Sequence, residues 1–352
     1  MSDELRYVLA FGVTFLGALL LTPVAGRVAH RTGTISHPRD DRFNSQAIPY
    51  LGGLAIAGGL VITGAITTGI SAEIVTILLA GLVLGGLGLI DDVRNVGPVV
   101  KVIVEVGAGL ALWFAGVRAG FFGVEALDAV LTVAWVVAVT NAFNLLDNMD
   151  GIAPGVAAIS GLGFFAIAAS EGDYLVGSLA LGVAGASFGF LRYNFPPARI
   201  FLGDAGSLMI GFLLAALGLK LDLVGPDELV RAVIPALLLA IPLFDMLLVI
   251  AARSRDGRPV YKGGTDHAAH RLSARGFSPR AVALTAFATQ LVCCSLAFVL
   301  YRSADGIVLG ASLITAASAL VAWTLFLRME GVVPGAMGEE AQSVRPETPP
   351  AS

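Results

Sequence analysis

The side chains best suited to chemistry lie close together in residues 141–153, between two long apolar runs. They are three carboxamides and two carboxylates: Asn141, Asn144, Asn148, Asp147 and Asp150. Asp147 and Asp150 are three residues apart, so they project toward one ligand if a helix continues through them. If the helix breaks at Gly151, they line a loop instead. A solvated loop tip would explain one Asp or Asn but not the cluster, and membrane interfaces are usually anchored by Lys or Arg.

A second pair of carboxylates, Asp91 and Asp92, ends another apolar run. Adjacent carboxylates at a membrane boundary repel each other and are costly near hydrocarbon unless a cation compensates their charge. A divalent metal or a lysine is the natural partner. Taken alone, the pair is also compatible with an ordinary helix end.

A further carboxylate, Asp204, is flanked by glycines and follows Pro196 and Pro197, which forbid a continuous helix. It lies where an apolar run begins. Backbone N–H groups at a helix start can receive phosphate oxygens while a carboxylate holds Mg²⁺. The alternative is a glycine-rich turn with Asp204 as the helix N-cap.

The long loop from Arg253 to Arg280 carries His267 and His270 among seven basic residues. Two histidines three residues apart can share a helix face, and the basic residues favour anions. A zinc site would need more ligands, so contact with a diphosphate or a sugar is favoured. A basic anchoring loop would explain the arginines but not the histidines. An earlier loop adds basic residues, Arg42 among them, that can meet a phosphate.

Membrane-spanning helices must position these motifs. Hydrophobic residues make up 56% of the 352 and charged residues only 14%, against about 25% in a soluble domain. We predict an all-α, polytopic membrane protein whose 43 glycines let helices pack closely. About eleven spans are predicted, at residues 6–25, 50–69, 74–90, 98–116, 126–143, 154–170, 174–191, 206–223, 230–252, 280–301 and 305–327.

Lysine and arginine are distributed unequally between alternate connections. Seventeen of the 22 fall on one set and five on the other, so the positive-inside rule places the first set in the cytoplasm. The N-terminus is then outside, the C-terminus is inside and every motif above faces the cytoplasm. No basic segment precedes the first span, and no small-residue cleavage site stands out. The span is therefore interpreted as retained rather than removed as a signal peptide.

Two further features narrow the class of protein. A net charge of −4 and the absence of a basic stripe argue against a nucleic-acid partner. Cys293 and Cys294 are adjacent within an apolar run and are interpreted as packing residues.

Four polar motifs on one side of one bundle indicate an enzyme that handles a polyanion with Mg²⁺ beside the membrane. In phosphoryl transfer, metal and cationic groups neutralise charge, and positioning supplies much of the remaining catalysis. A cation-coupled transporter is the alternative from another class. Its carboxylates would usually lie near the bilayer midplane rather than at cytoplasmic helix ends.

On these motifs the chain resembles the polyprenyl-phosphate N-acetylhexosamine-1-phosphate transferases (glycosyltransferase family 4), which also include phospho-MurNAc-pentapeptide translocase. The similarity extends from the first cytoplasmic loop to about Leu272. The matching motifs, in order, are Asp91-Asp92, Asn141 to Gly151, Asn194 to Ser207, and Ile241-Pro242-Leu243-Phe244-Asp245. The resemblance implies transfer of a sugar-1-phosphate from a UDP-N-acetylhexosamine to polyprenyl phosphate, with release of UMP.

The resemblance also implies roles for individual residues. Asp204 would be the principal ligand of Mg²⁺, with Asp92 beside it and Mn²⁺ as the alternative metal. Asp91 and Asp92 would sit at the reacting phosphates, with Asp91 as the candidate to activate the lipid phosphate. Asp147 joins them as a candidate catalytic residue.

The remaining implied roles concern substrate binding. Asn144, Asp147 and Asp150 would bind the nucleotide, and Phe201 would stack on the uracil. The other candidates are Lys101 and Arg42 for phosphate oxygens, and His267, His270 and Arg271 for the sugar and diphosphate. A lipid phosphate is already mostly anionic at neutral pH, since its second pKa is near 6. Direct attack and a double displacement through an aspartyl phosphate are therefore both open.

The chain departs from the family pattern at two places. Ala269 stands at the middle histidine of a His-x-His-His motif, and the first loop has Asp41-Arg42 and Asn44 where an Arg-Lys pair and a histidine are usual. These departures favour the simple N-acetylhexosamine branch, with UDP-GlcNAc as the expected donor. MurNAc-pentapeptide transfer is the runner-up, and a non-catalytic scaffold that kept the pocket is a further alternative.

The predicted organisation is one transmembrane catalytic domain over residues 1–330 and a disordered cytoplasmic tail over 331–352. The predicted active-site loops are residues 26–48, 91–98, 141–154, 191–206 and 253–280. The expected location is the bacterial plasma membrane, in contact with membrane lipid. A homodimer is expected from the resemblance alone.

Overall fold

The computed structural model describes residues 3–36, 47–58, 71–94, 96–223, 228–261 and 263–303, together with residues 322, 325, 326, 328 and 329. The helices are α1 (Asp3–Thr32), α2 (Ala72–Arg94), α3 (Pro98–Phe114), α4 (Glu125–Leu146), α5 (Ile152–Glu171), α6 (Tyr174–Asn194), α7 (Gly203–Lys220), α8 (Glu228–Leu238), α9 (Ala240–Arg255), α10 (Ala268–Ser273) and α11 (Pro279–Arg302). Residues 52–58 are also helical. The predicted all-α class is confirmed.

Seven described helices are long and apolar enough to cross a membrane: α1, α2, α4, α5, α6, α7 and α11. The bent pair α8 and α9 makes an eighth. The 17-residue α3 is at the lower limit for a crossing. Most of the predicted spans 50–69 and 305–327 and the tail 331–352 lie outside the described residues. The count of eleven and the orientation therefore stay predictions.

The predicted single helix over residues 230–252 is instead two helices that meet at 86° after Leu238. Pro242 explains a break here. It has no N–H for the Leu238 carbonyl four residues earlier, and its ring would clash with that carbonyl in a continuous helix.

The core is organised around α7, which is buried along nearly its whole length. It packs against α2 and α4, and the Trp135 indole of α4 donates to the Ala215 carbonyl at 3.0 Å. Helix α6 packs equally closely against α1, because a Cβ at Gly185 would lie 2.5 Å from the Phe11 carbonyl oxygen. Small residues thus let the helices approach each other in the absence of a strong hydrophobic drive within lipid.

Two short antiparallel strands, β1 (Ile35–Ser36) and β2 (Ile48–Pro49), lie between α1 and the helical residues 52–58. They are the only strands in the described part of the chain. Residues 37–46, which join them, lie outside it. Arg42 and Asn44, which were singled out in the sequence, are among those residues.

Candidate active site

The ends of α2 and α7 are joined through Asp92. Its two carboxylate oxygens accept the backbone N–H groups of Asp204 at 2.9 Å and Ala205 at 3.2 Å. The first N–H groups of a helix have no partner within the helix and carry partial positive charge, so a carboxylate is stabilised there. Helix α7 begins at Gly203, and Asp204 therefore lies in its first turn rather than before it. The N–H groups expected to receive phosphate oxygens are occupied here by Asp92.

Glycines make this close approach sterically feasible. A Cβ at Gly88 of α2 would lie 2.3 Å from the carbonyl carbon of Asp204, and one at Gly203 would lie 2.6 Å from an Asp92 carboxylate oxygen. Gly203 also has a φ of +72°, which an L side chain rarely adopts. On the other side of α7, a Cβ at Gly53 would lie 2.2 Å from the Gly206 nitrogen. Three backbone segments are thus packed together with no room for a methyl group.

Lys101 of α3 lies between two carboxylates. Its ammonium is 2.6 Å from Asp91 and 2.5 Å from Asp204, and all three side chains are largely shielded from solvent. Asp91 also accepts the Val96 backbone N–H. We call Asp91, Asp92, Lys101 and Asp204 the carboxylate–lysine centre. The structure thus brings these four residues together, while their roles stay predictions.

The carboxylate–lysine centre fits a divalent ion. Asp91 and Asp204 direct oxygens at one positive charge, and Mg²⁺ is commonly held by one or two carboxylates with substrate phosphates and water completing the shell. Among the described residues, no three His, Cys, Asp or Glu side chains surround a common metal position. Substrate oxygens and water would complete the shell of an ion held here by Asp91 and Asp204. Asp92, predicted as a ligand, has both oxygens on backbone N–H groups, so Asp91 is the better placed partner of Asp204.

Asp147 and Asp150 lie in a turn after α4, as in the alternative in which the helix breaks before them. Helix α4 ends at Leu146, so Asp147 is its C-cap and Asp150 lies in the loop. Asp150 accepts the Ala198 backbone N–H at 2.8 Å. Burial raises the pKa of Asp150, and this hydrogen bond offsets only part of the increase.

Asn194 ties the same turn to the loop before α7. Its side chain accepts from Gly151 N at 2.9 Å and donates to the Ile200 carbonyl at 2.8 Å. One helical turn into the bundle, Asn144 of α4 donates to Ser207 of α7 at 3.1 Å. The predicted nucleotide-binding residues Asn144 and Asp150 thus fasten α4 and its turn to the segment around Asp204.

Phe201 lies beside the segment that follows β2. Its backbone N–H donates to the Pro49 carbonyl at 2.9 Å, and its carbonyl accepts from Gly52 at 3.1 Å. Its ring is 5.9 Å from that of Tyr50. The expected stacking of Phe201 on a uracil stays a prediction, and the structure places a second aromatic ring next to it.

The segment that carries His267 and His270 is anchored by Asp245 of α9. Asp245 contacts the His267 ring nitrogen Nδ1 at 2.8 Å and accepts the Ala268 backbone N–H at 2.8 Å. The His270 ring centre is 5.7 Å from that of His267, and both side chains are buried. The sequence motif pointed to Asp245 without giving it a role. Its spacing of 22 residues from His267 carries no local signal, so only the fold could pair them.

Ion pairs hold the rest of this loop. The buried Arg253 lies 3.0 Å from Asp266, and Arg258 makes two contacts with the same carboxylate at 2.6 and 3.1 Å. Burial alone would raise the pKa of Asp266, but the hydrogen bonds and charges of Arg258 and Arg253 outweigh it and hold the pKa below its usual range. We refer to residues 256–271, which follow α9, as the histidine loop.

Arg271, predicted to contact the sugar and diphosphate, is buried and faces backbone carbonyls. It donates to Asp266 at 2.9 Å and Phe326 at 3.0 Å, and also to Met329. In this arrangement Arg271 fastens a later segment of the chain to the histidine loop. Its substrate role stays a prediction, as does that of Arg42.

An apolar groove of about 730 Å³ runs between α3, α4 and α9. Its walls include Val102, Val106, Val133, Val137, Met246 and Ile250. Among the described residues that line it, Asn141 alone is polar. Its amide donates to the buried Glu105 of α3 at 2.5 Å and to the Val137 carbonyl at 2.9 Å. Glu105 is one turn from Lys101, so the polar end of the groove adjoins the carboxylate–lysine centre.

Comparison with known proteins adds to this picture. The family model described as "Glycosyl transferase family 4" matches residues 74–222. A probable undecaprenyl-phosphate N-acetylglucosaminyl 1-phosphate transferase of Bacillus subtilis is 36% identical over 294 residues, covering 80% of this chain and 81% of the relative. A decaprenyl-phosphate N-acetylglucosaminephosphotransferase of Mycobacterium tuberculosis is 32% identical, covering 73% of each chain. A phospho-N-acetylmuramoyl-pentapeptide-transferase of Geobacillus kaustophilus is 27% identical over 82% of this chain and 96% of its own length.

Proposed function

Because the chain belongs to glycosyl transferase family 4, we propose that it transfers an N-acetylhexosamine-1-phosphate from a UDP-sugar to polyprenyl phosphate. We expect the sugar to be GlcNAc. The lipid phosphate oxygen would form a bond to the sugar-bearing phosphorus, the bond to the UMP oxygen would break, and the products would be UMP and a polyprenyl-diphosphate-linked sugar. The observation that carries this proposal is the carboxylate–lysine centre at the start of α7, next to the apolar groove.

The carboxylate–lysine centre suits a reaction between two phosphates. Lys101 brings a positive charge that can pair with phosphate oxygens once it leaves Asp91 or Asp204. Asp204 and Asp91 would hold Mg²⁺, with Mn²⁺ as the alternative, and the bound ion would neutralise charge on the diphosphate. Asp92 keeps the start of α7 in register and so fixes the direction of Asp204. Phosphoryl transfer requires mainly such positioning and charge compensation.

The groove supports a lipid acceptor. Its walls are aliphatic, as a polyprenyl chain requires, and its polar end at Asn141 and Glu105 lies one helical turn from Lys101. A chain lying between α3, α4 and α9 would thus bring its phosphate toward Lys101 and Asp91.

The donor would occupy the side of the centre formed by the α4 turn and the histidine loop. We assign the nucleotide to Asn144, Asp147, Asp150 and Phe201, and the sugar and diphosphate to His267, His270 and Arg271, with Arg42 as a further phosphate contact. We also propose that the enzyme works on the cytoplasmic face of a bacterial plasma membrane. A homodimer is part of the same proposal.

UMP release tests the proposal. Purified protein in detergent would be supplied with undecaprenyl phosphate, Mg²⁺ and one donor at a time: UDP-GlcNAc, UDP-GalNAc or UDP-MurNAc-pentapeptide. We expect UMP with UDP-GlcNAc and none with the pentapeptide donor. Use of the pentapeptide donor would favour the second candidate, which the Geobacillus relative supports. UMP from no donor, with solute flux into sealed vesicles, would instead favour a transporter.

Isotope exchange distinguishes direct attack by the lipid phosphate from a double displacement through an aspartyl phosphate. Labelled UMP exchanges into UDP-GlcNAc without polyprenyl phosphate if an aspartyl phosphate forms on the protein. Exchange only in the presence of the lipid acceptor fits direct attack.

A further inference from the structure

The break between α8 and α9 leaves three backbone groups without their helical partners. In a continuous helix, Ile241 N–H would bond the Leu237 carbonyl and residue 242 would bond that of Leu238. Pro242 has no N–H, and the 86° bend separates the other pair. Unpaired backbone groups are costly inside a membrane protein, so something else must satisfy them.

The side chain of Gln290 from α11 satisfies all three groups. Its carbonyl oxygen accepts Ile241 N–H at 3.1 Å, and its amide nitrogen donates to Leu238 at 2.8 Å and to Leu237 at 3.4 Å. Gln290 is fully buried. A side chain inserted into the hydrogen-bond ladder is a recognised cause of a sharp kink, and here it comes from a neighbouring helix.

The direction of α9 matters because of what α9 carries. Met246 and Ile250 form one wall of the apolar groove, and Asp245 holds His267. We propose that Gln290 is a positioning residue: by bridging the α8–α9 break it fixes the angle of α9, and thereby the width of the groove for the lipid acceptor's chain. The statement about the acceptor rests on the proposed function, whereas the statement about the angle does not.

The chemistry of the side chain accounts for a glutamine here. Only an amide both accepts one hydrogen bond and donates two. Methionine has a similar length and no strong hydrogen-bonding group. Glutamate restores the acceptor for Ile241 and, when protonated, one donor for Leu238. Thr289, the preceding residue on α11, is exposed, and its hydroxyl donates to the Thr285 carbonyl of its own helix at 2.8 Å.

The first arm of the test measures the angle. Spin labels at Leu229 of α8 and Leu247 of α9, both exposed, report their separation by pulsed electron resonance in a background with Cys293 and Cys294 replaced by alanine. Gln290→Met is expected to give a longer and broader distance distribution, Gln290→Glu an intermediate one, and Thr289→Val the wild-type one. An unchanged distribution in Gln290→Met would overturn the proposal. If Gln290→Met does not fold, Gln290→Glu decides by the same criterion.

The second arm measures the acceptor. Gln290→Met is expected to raise KM for undecaprenyl phosphate by about tenfold, the order expected from loss of its hydrogen bonds. KM for a short-chain polyprenyl phosphate and for the UDP-sugar should change by less than about twofold. Equal increases for all three substrates would overturn the link to the groove. If the wild-type protein released no UMP from any donor, the proposed function would fail while the distance measurement still decided the role of Gln290 in the bend.

Discussion

The carboxylate–lysine centre and the histidine loop hold their polar groups in different ways. In the centre, helix ends are pressed together through glycines, Asp92 bonds the backbone of α7 directly, and Lys101 adds ion pairs. The histidine loop is held through side chains, which bond other side chains as well as backbone: Asp245 holds His267, and two arginines hold Asp266. The first arrangement leaves no room for variation, whereas the second can change residue by residue.

This difference matches a division of labour. Transfer between two phosphates is common to every substrate of such an enzyme and demands fixed geometry. Recognition of one sugar rather than another is a matter for loops carried on a rigid scaffold. One departure from the family pattern, Ala269, lies in the short helix α10 between His267 and His270, while the carboxylates expected for the reaction are all present. We therefore expect changes in the centre to abolish the reaction and changes in the loop to alter its substrate.

The largest effect is expected for Asp204→Ala. It removes a carboxylate from the pair around Lys101 and leaves that charge half compensated, so the rate of UMP release should fall on the order of 10³-fold. Asp222→Ala, at an exposed position two residues after α7 ends at Lys220, is the matched control and should retain activity. A fall of less than about tenfold in Asp204→Ala would show that the centre is not where the reaction occurs.

Gly88→Ala tests whether the centre depends on backbone contact. The added methyl would lie 2.3 Å from the Asp204 carbonyl carbon, so α2 or α7 must move, and a shift near 1 Å at a reacting group costs about 10²-fold in rate. Gly86→Ala lies on the same helix with nothing within 4 Å of the added methyl. Its activity and thermal stability should match those of the wild type. Equal behaviour of the two variants would contradict the packing argument.

The sequence predicted the centre better than the loop, for a physical reason. Asp91, Asp92 and Asp204 are polar groups at the ends of apolar runs, where burial without a partner is costly, so their positions together favour a functional role. The residues around them also follow local rules, such as proline and glycine before a helix start. The all-α membrane fold followed from composition in the same way.

What the sequence did not predict depends on contacts between distant segments. Asp92 and the start of α7 are 112 residues apart. The sequence around Asp92 therefore does not indicate whether its carboxylate bonds backbone N–H groups or a metal ion. The α8–α9 bend was missed because a proline inside an apolar run, such as Pro242, is also compatible with a kinked single span. The partner that satisfies the break, Gln290, comes from another helix.

In the loop, His267→Ala is expected to lower kcat/KM for UDP-GlcNAc by about tenfold to 10²-fold and to narrow the difference between UDP-GlcNAc and UDP-GalNAc. Asp245→Asn, which weakens the hold on the His267 ring, should act in the same direction with a smaller effect. His30→Ala, in the exposed last turn of α1, serves as the control. An equal loss of rate with both donors, and no change in their ratio, would place His267 with the reaction rather than with the sugar.

The smallest expected effect is a loss of loop stability at low pH. The two arginines hold the pKa of Asp266 below its usual range, so its folded-state pKa lies below the unfolded one. The stabilisation is present above the unfolded pKa and is lost as the pH falls through the folded pKa. Amide hydrogen exchange in residues 258–271, corrected for the intrinsic rate, should be slow at pH 7 and accelerate below about pH 4.

Arg258→Ala should shift the onset of this loss to higher pH and speed exchange at pH 7 by about two- to fivefold, as expected for loss of a partly exposed ion pair. The stability of the turn at Asp150 is expected to depend on pH in the opposite direction. Burial raises the pKa of Asp150, so protonation favours the folded turn as the pH falls. If residues 147–151 lost protection at low pH together with the histidine loop, the two regions would unfold as one unit. Their stabilities would then not differ in pH dependence, which would contradict this prediction.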